Sequence, residues 1–513
     1  MAKTFTAKKT SRIAAITLSV AMLLSGAVLA QTSFASADEG TPLFKSDYST
    51  KAEAVQAGLD LNEQIAEEGM ILLKNVDSTL PLTTSATNKT KVTVLGYAGV
   101  NPNAGSSANG GDSSAGSAIA LENVYSSLEE ANYEINPTVK DQYEAWADME
   151  NVSSDSAIAN LTDGNDFATK SATWTNLGDY DTALVVLSAG SNTVGSEEGQ
   201  RVHSLQLDDE QLDLLNYATS NFDTVIVLVN SCTPIELAAI QNNAAVDAVL
   251  NIGEPGDNGF AALGKVLSGE VNPSGRLTDT WATDFTKNPS YVNFNVLGRA
   301  DVMGSGVPYG KDGNGTTMGY TQYQYDGETI DTWAVGYEEG IYVGYRWYET
   351  AYTEIHNDNY LADTDADDWY DANVVYPFGY GMSYTTFDWE IWPVLDENSN
   401  LTANSALTFD VRVTNTGDVA GKEVVQLYYS APYTKGGVEK AAVNLGDFAK
   451  TEILAPGESQ VVRVSIDASD MASYDYATAQ TYVLEDGAYD LILATDSHDA
   501  AVDALADAAS VYT

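Results

Sequence analysis

The chain is poor in cysteine, in histidine and in positive charge. Its 513 residues include one Cys, three His and 24 Lys+Arg against 73 Asp+Glu, a formal net charge of −49. A single cysteine excludes an internal disulfide framework, and Cys232, following an apolar run, reads as a small buried residue and not as a reactive thiol. His203, His356 and His498 are scattered, which leaves little material for a histidine-rich metal site or a Ser-His-Asp triad. The stretch Asn230-Ser231-Cys232-Thr233 lacks the flanking glycines of a nucleophile elbow. So acidic a chain repels polyanions, which argues against nucleic acid and against anionic membrane surfaces as partners. Long apolar runs are scarce too, and past the N-terminus no stretch is long and apolar enough to span a bilayer.

What is present is ordinary core material, 44% hydrophobic residues, together with 30 Tyr whose rings can stack on flat polar ligands such as sugars. A length near 500 is compatible with roughly two to four domains. Lys3, Lys8, Lys9 and Arg12 precede an apolar run from Ile13 to Ala30, and Ala35-Ser36-Ala37 is a small-x-small site before Asp38. Residues 1–37 therefore read as a secretory signal peptide; an uncleaved anchor is the weaker reading, because Ser25 and Gly26 interrupt the run. Its removal takes four basic residues and no acids, leaving 20 basic against 73 acidic residues and a formal charge of −53. The expected location is extracellular, with cell-surface association open.

Apolar periodicity at Ala54, Val55, Leu59, Leu61, Ile65 and Met70 predicts a helix over 55–73. Four near-continuous apolar runs follow: Lys91–Gly96, Thr182–Ser188, Thr224–Asn230 and Ala248–Ile252. Runs of this kind are expected of strands buried on both faces. Helix candidates at 118–131, 208–220, 235–241 and 258–268 alternate with them, so the fold class is α/β, a layered sandwich with a mainly parallel sheet. Residues 286–384, rich in Tyr, Trp, Gly, Asn and Asp, read as an irregular segment closing this domain, which spans 38–384. Alternating strands at Leu407–Asn415, Lys422–Ser430, Ser459–Ile466 and Ala488–Ala494 then predict a fibronectin type III-like β-sandwich over 385–513.

Ligands of open parallel sheets bind beyond the carboxyl ends of the strands. The loop after the second strand, Ser188 to Arg201, carries adjacent carboxylates, Glu197 and Glu198, between Gly195 and Gly199. Either carboxylate would be a general acid or base if its surroundings raise its pKa, and a solvated loop charge is the plainer alternative. The loop Gly105–Ser117 follows the first strand but matches neither dinucleotide-binding nor P-loop spacing, so no cofactor is expected. The acidic stretch Asp363–Asp371 lacks EF-hand spacing and reads as a solvated loop, not a calcium site.

Five extended motifs, in order, resemble glycoside hydrolase family 3, the β-glucosidase-type family. They are Glu67–Leu82, Asn251–Thr280 with its Asn-Pro-Ser-Gly-Arg-Leu, Tyr337–Tyr348, Tyr376–Tyr384, and the pair Val413–Ser430 and Val438–Val462. The resemblance implies a carbohydrate substrate, retention of anomeric configuration and a Glu acid/base on the loop above. Glu198, in a Glu-Gly pair, is preferred; Glu197, at four-residue spacing to Arg201, stays open. The family's nucleophilic Asp belongs to a (β/α)8 barrel, in a Ser-Asp-Trp-like motif. Neither Asp279-Thr280-Trp281 nor Asp368-Trp369 lies in a barrel-like context, and the barrel's Lys-His sugar-binding motif has no counterpart. A barrel needs ~250 residues. The expectation is the N-terminal portion of a rearranged enzyme, inactive by itself for want of a nucleophile. The alternative is a non-catalytic carbohydrate-binding or accessory protein. The second domain is expected to buttress the first, its strands showing no obvious aromatic platform.

Overall fold

The structure is a computed structural model and describes residues 46–104, 122–147, 171–188, 205–231, 233–290, 322–325, 328–331, 339–394, 402 and 405–506. The chain divides into two compact units, Met1–Gly58 and Leu59–Thr513. Of the first, residues 46–58 are described; they open the first helix, α1 (Lys51–Gly69), where the backbone N–H groups of Ser49 and Thr50 donate to Glu53.

The larger unit begins with the rest of α1. Helix then gives way to strand earlier than the periodicity predicts: Gly69 ends α1, and Ile71–Asn75 is β1, with Leu72 and Leu73 fully buried. The apolar residues that suggested a core-facing helix are largely exposed, Leu61 at 55% and Ile65 at 60%. Polar contacts hold α1 instead. Asn62 Nδ2 donates to the Pro255 carbonyl at 2.6 Å, Asn62 Oδ1 accepts from Asn258 N at 3.0 Å, and Glu63 and Glu67 pair with Lys265 at 2.5 and 3.1 Å.

The remaining elements are β2 (Lys91–Leu95), α2 (Val124–Glu130), β3 (Glu134–Ile135), α3 (Pro137–Ala147), β4 (Thr182–Ser188), α4 (Asp209–Asn221), β5 (Thr224–Asn230), α5 (Ala238–Gln241), β6 (Ala248–Asn251) and α6 (Ala261–Ser268). The sheet order is β1-β6-β5-β4-β2-β3; every pairing is parallel except β1 with β6. Successive side chains of β4 and β5 enter two cores. Ala183, Val185, Leu187, Val225, Val227 and Val229 face one, and Leu184, Val186, Ile226 and Leu228 face the other. Burial on both faces explains why these strands carry no alternation.

Next come β7 (Trp281–Ala282), the hairpin β8 (Gln322–Tyr325) and β9 (Glu328–Asp331), α7 (Tyr345–His356), α8 (Ala366–Asn373) and β10 (Val374–Tyr376), which pairs with β7. The segment expected to be irregular thus contains two helices. In α7 the buried stripe is Tyr348, Ala351, Tyr352 and Ile355, helically spaced but largely aromatic and polar-tipped, so it carries a weak apolar signal. The acidic stretch becomes the start of α8: Asp365 Oδ1 accepts from the N–H groups of Asp367 and Asp368, an ordinary N-cap.

The second domain contains β11 (Phe387–Pro393), β12 (Ala406–Asn415), β13 (Val424–Ser430), β14 (Asn444–Lys450), β15 (Ser459–Asp467), β16 (Ser473–Asp475), β17 (Thr481–Val483), β18 (Asp490–Ala494) and α9 (Ser497–Ala506). Antiparallel sheets β11-β12-β15 and β14-β13-β18 enclose Leu407, Phe409, Val411, Val413, Val425, Leu427, Val462 and Val464, a β-sandwich as expected. Among the described residues no helix is long and apolar enough to cross a membrane.

Candidate functional site

The carboxyl ends of β2, β4, β5 and β6 converge on one edge of the parallel sheet. At the end of β2 the chain turns through Gly96, φ +107°, where an added Cβ would lie 2.4 Å from the Val186 carbonyl oxygen. Only glycine fits this approach. The Gly96 N–H donates to Tyr143 Oη at 3.0 Å, and burial pushes the Tyr143 phenol well above its ordinary pKa. Gly96, Tyr97, Tyr143, Ser188, Glu210 and Gln211 line a cavity of about 30 Å³. That volume holds a water and not a sugar ring.

Ser188, the described residue before 189–204, lines this cavity, as do Glu210 and Gln211 after it. Gln211 Nε2 donates to the Ser188 carbonyl at 3.0 Å, fixing the point of departure. On return, the Leu205 carbonyl accepts from Glu236 N at 2.7 Å, and Asp208 and Gln211 form a reciprocal capping box at the start of α4. The Glu236 carboxylate accepts from Phe285 N at 2.8 Å; burial raises its pKa on balance. Its bonding makes it a strut for the loop's base. Glu197, Glu198 and Arg201 themselves lie outside the described residues, as do His203, Cys232 and Gly105–Ser117.

A polar network at the same edge escaped the sequence reading. Asn230, fully buried at the last position of β5, accepts from Asn103 N at 2.7 Å and donates to the carbonyls of Asn103 at 2.9 Å and Gly253 at 2.6 Å. Asn103 Nδ2 then donates to Glu254 Oε1 at 2.6 Å, while Glu254 Oε2 is buried without a hydrogen-bond partner. The signal available was an asparagine closing an otherwise apolar run, since a buried amide is retained only where its bonds are made. The network ties the ends of β5 and β6 to the segment that precedes residue 105, and Glu254 places a carboxylate at this edge of the sheet.

Apart from Gly253 and Glu254 at the start of Asn251–Thr280, the family-like motifs serve another part of the fold. Arg276 of Asn-Pro-Ser-Gly-Arg-Leu pairs with Glu423 at 2.8 Å, their side chains 11% and 10% exposed. Asn272 donates to the Ala420 carbonyl and accepts from Ser383 Oγ and Tyr384 N. Gln426 donates to the Gly379 carbonyl, Tyr345 stacks on Phe378 at 4.6 Å, and Glu68 binds Lys422 and Lys450. These residues join the α/β layers to the β-sandwich. Asp279 lies just before β7, and Asp368 in the first turn of α8. Among the described residues no cluster of three or more His, Cys, Asp and Glu side chains is arranged to hold a metal ion.

One further charged cluster joins α7 to α9. Glu349, fully buried, accepts from Tyr370 Oη at 2.7 Å and Ser497 Oγ at 2.9 Å, and its other oxygen lies 3.0 Å from His498 Nδ1. His498 stacks on Tyr370 at 3.6 Å. Burial alone would lower the His498 pKa, but Glu349, Asp496 and Asp499 raise it on balance; burial and Asp499 push Asp496 up to about 7.

The family profile "Glycosyl hydrolase family 3 C-terminal domain" matches residues 70–345, and "Fibronectin type III-like domain" matches 423–497. Beta-glucosidase A of Butyrivibrio fibrisolvens is 32% identical over 318 residues, 59% of this chain and 32% of that protein. Thermostable beta-glucosidase B of Acetivibrio thermocellus is 28% identical over 440 residues, 86% of this chain and 47% of that protein. The crystal structure of a β-glucosidase from Paenibacillus barengoltzii superposes with TM-score 0.60 at 27% identity, covering 85% of this chain and 41% of that one. β-Glucosidase 3B from Thermotoga neapolitana, in complex with glycerol, gives TM-score 0.60 at 25% identity, covering 88% and 54%. The chain thus spans less than half the length of these two curated relatives. The comparisons agree with the α/β sandwich and fibronectin-like sandwich described above.

Proposed function

This chain belongs to glycosyl hydrolase family 3, and on that premise we propose that it is the acid/base-bearing portion of a secreted, retaining β-glucosidase-type hydrolase. Glu198 protonates the glycosidic oxygen as the leaving group departs and then deprotonates the attacking water; Glu197 is the alternative. A carboxylate on a (β/α)8 barrel attacks the anomeric carbon and carries the glycosyl group between the two steps. The observation that supports this reading is that Ser188 and Leu205, the described residues flanking 189–204, are hydrogen-bonded at the carboxyl edge of the parallel sheet, inside the region the family profile matches. The relatives named β-glucosidase supply the substrate class, a β-glucoside or related oligosaccharide. Export follows from residues 1–37, and the mature chain is expected to begin at Asp38, which N-terminal sequencing of exported protein checks.

The test is turnover of an aryl β-glucoside. The 513-residue chain alone is expected to show none, since no segment of it matches the nucleophile motif. Supplied with a family barrel, the activity should fall by about 10²–10⁴-fold in Glu198→Gln for poor leaving groups. The loss should be smaller for acidic phenols, which leave without protonation. A Glu198→Gln protein with unchanged rates for poor leaving groups sinks the assignment. Robust hydrolysis by the chain alone, abolished by Glu198→Gln, overturns the need for a barrel. Glucoside binding with no turnover under any pairing favours the accessory reading.

A further inference from the structure

The hairpin of β16 and β17, in the β-sandwich domain, presents three tyrosines that the core does not use. Tyr474 is 51% exposed, Tyr476 75% and Tyr482 71%. Tyr474 and Tyr482 are directly paired across the strands, their rings 5.2 Å apart at 69°. The turn that joins them is fixed by Asp475, whose carboxylate accepts the N–H groups of Ala477, Thr478 and Ala479 at 3.0, 2.9 and 2.9 Å. This is the aromatic surface that the strand pattern did not reveal. The alternation of a three-residue strand is too short to read.

We propose that this hairpin is a binding platform for a neutral polysaccharide chain, the C–H faces of its pyranose rings stacking on the three tyrosines. Large amphipathic rings held on a rigid element give contact area at little conformational cost, and their hydroxyls hydrogen-bond outward. Charge selects the ligand. Residues 467–487 contain no Lys or Arg, so anionic polymers are not attracted. Asp475, between Tyr474 and Tyr476 in sequence, is engaged by three backbone donors, and Glu485 is paired with Lys440, while Asp467, Asp470 and Asp486 are exposed in the same stretch. An uncharged ligand rich in hydroxyls and C–H faces suits exposed phenol rings on a stretch that lacks cations, and a cationic partner is the rival that the test separates. The choice of sugar rests on the glycoside hydrolase reading, and the platform would keep the hydrolase on its polymer without taking part in bond cleavage.

The test is affinity electrophoresis of the whole chain in gels containing soluble mixed-linkage β-glucan. Wild type is expected to be retarded. The triple variant Tyr474→Ala/Tyr476→Ala/Tyr482→Ala should lose that retardation, a drop of about tenfold or more in apparent affinity. Tyr476→Ala, at a ring 75% exposed, should lose part of it while thermal unfolding is unchanged, which separates binding from folding. Glu198→Gln should be retarded like wild type, so a failed acid/base assignment leaves this result untouched. No retardation of wild type, or equal retardation of the triple variant, overturns the platform. Tyrosine-dependent binding to poly-lysine without binding to glucan overturns it in favour of a cationic partner.

Discussion

The seam between the two domains and the crevice at the carboxyl edge of the sheet are built from similar polar residues and used oppositely. At the seam Arg276 reaches Glu423 from one domain to the other, although its Nε is buried without a partner, Asn272 and Gln426 bond to carbonyls across the same junction, and the motifs carrying these residues are long and recognisable. At the crevice Asn230 and Asn103 bond to each other, Glu254 keeps a buried oxygen without a partner, and the described hydrogen bonds tie together the ends of strands within one layer. The difference teaches that family likeness here is mostly a record of how the layers are joined. Loops in general are less constrained by packing than the elements they connect.

The comparison breaks if the seam proves energetically idle. Arg276→Met leaves the Glu423 carboxylate buried without its partner and is expected to cost about 3–5 kcal/mol in denaturant unfolding. Arg276→Met/Glu423→Met should recover most of it, because the unpaired charge is gone. The crevice should be less costly to damage. Asn230→Leu strands an N–H and two carbonyls, an expected loss of about 1–3 kcal/mol, with faster amide exchange at Asn103 as the local readout.

The α7–α9 joint sharpens the comparison through pH. Asp496, raised in the folded chain to about 7 from 3.8, contributes stability that is full below 3.8 and is lost as pH rises through 7. His498, also raised, contributes stability present below its ordinary 6.5 and lost as pH rises through its higher folded value. Both act in one direction, so the melting temperature should fall from pH 5 to pH 8. Asp496→Asn should flatten the lower part of that slope and His498→Gln the upper part; Glu349, Asp499, Tyr352 and Tyr370, which face the same joint, stay unchanged in both variants. A melting temperature that rises across the range contradicts the assignment. The smallest effect is expected on α1. Leu61→Ser should change stability by less than about 0.5 kcal/mol. Asn62→Ala should cost about 1 kcal/mol through its lost bonds to Pro255 and Asn258.

The parallel strands were legible because burial on both faces writes a continuous apolar run; β4 and β5 match their sequence bounds residue for residue. β1 was absorbed into the preceding helix because Ile71-Leu72-Leu73 continues the apolar count, and only pairing with β6 decides otherwise. α7 was hidden by tyrosines whose hydroxyls make a buried stripe look polar. The family resemblance named residues without naming their tasks. Arg276 and Glu423 stand 147 positions apart, and nothing local in either motif announces the other. For the candidate site, the place of segment 189–204 after β4 followed from strand order, whereas the Asn103–Asn230–Glu254 network required the fold to bring the end of β5 against two other segments.

The Arg276–Glu423 pair also bears on how such proteins can be reassembled. A recombination event that joined this α/β sandwich to a foreign β-sandwich would carry a guanidinium to the junction with no carboxylate to meet it, and Asn272 would lose its carbonyl. The two folds are separate by shape but share buried polar bonds across their junction. Boundaries for grafting are therefore better placed outside 70–497 than between the layers.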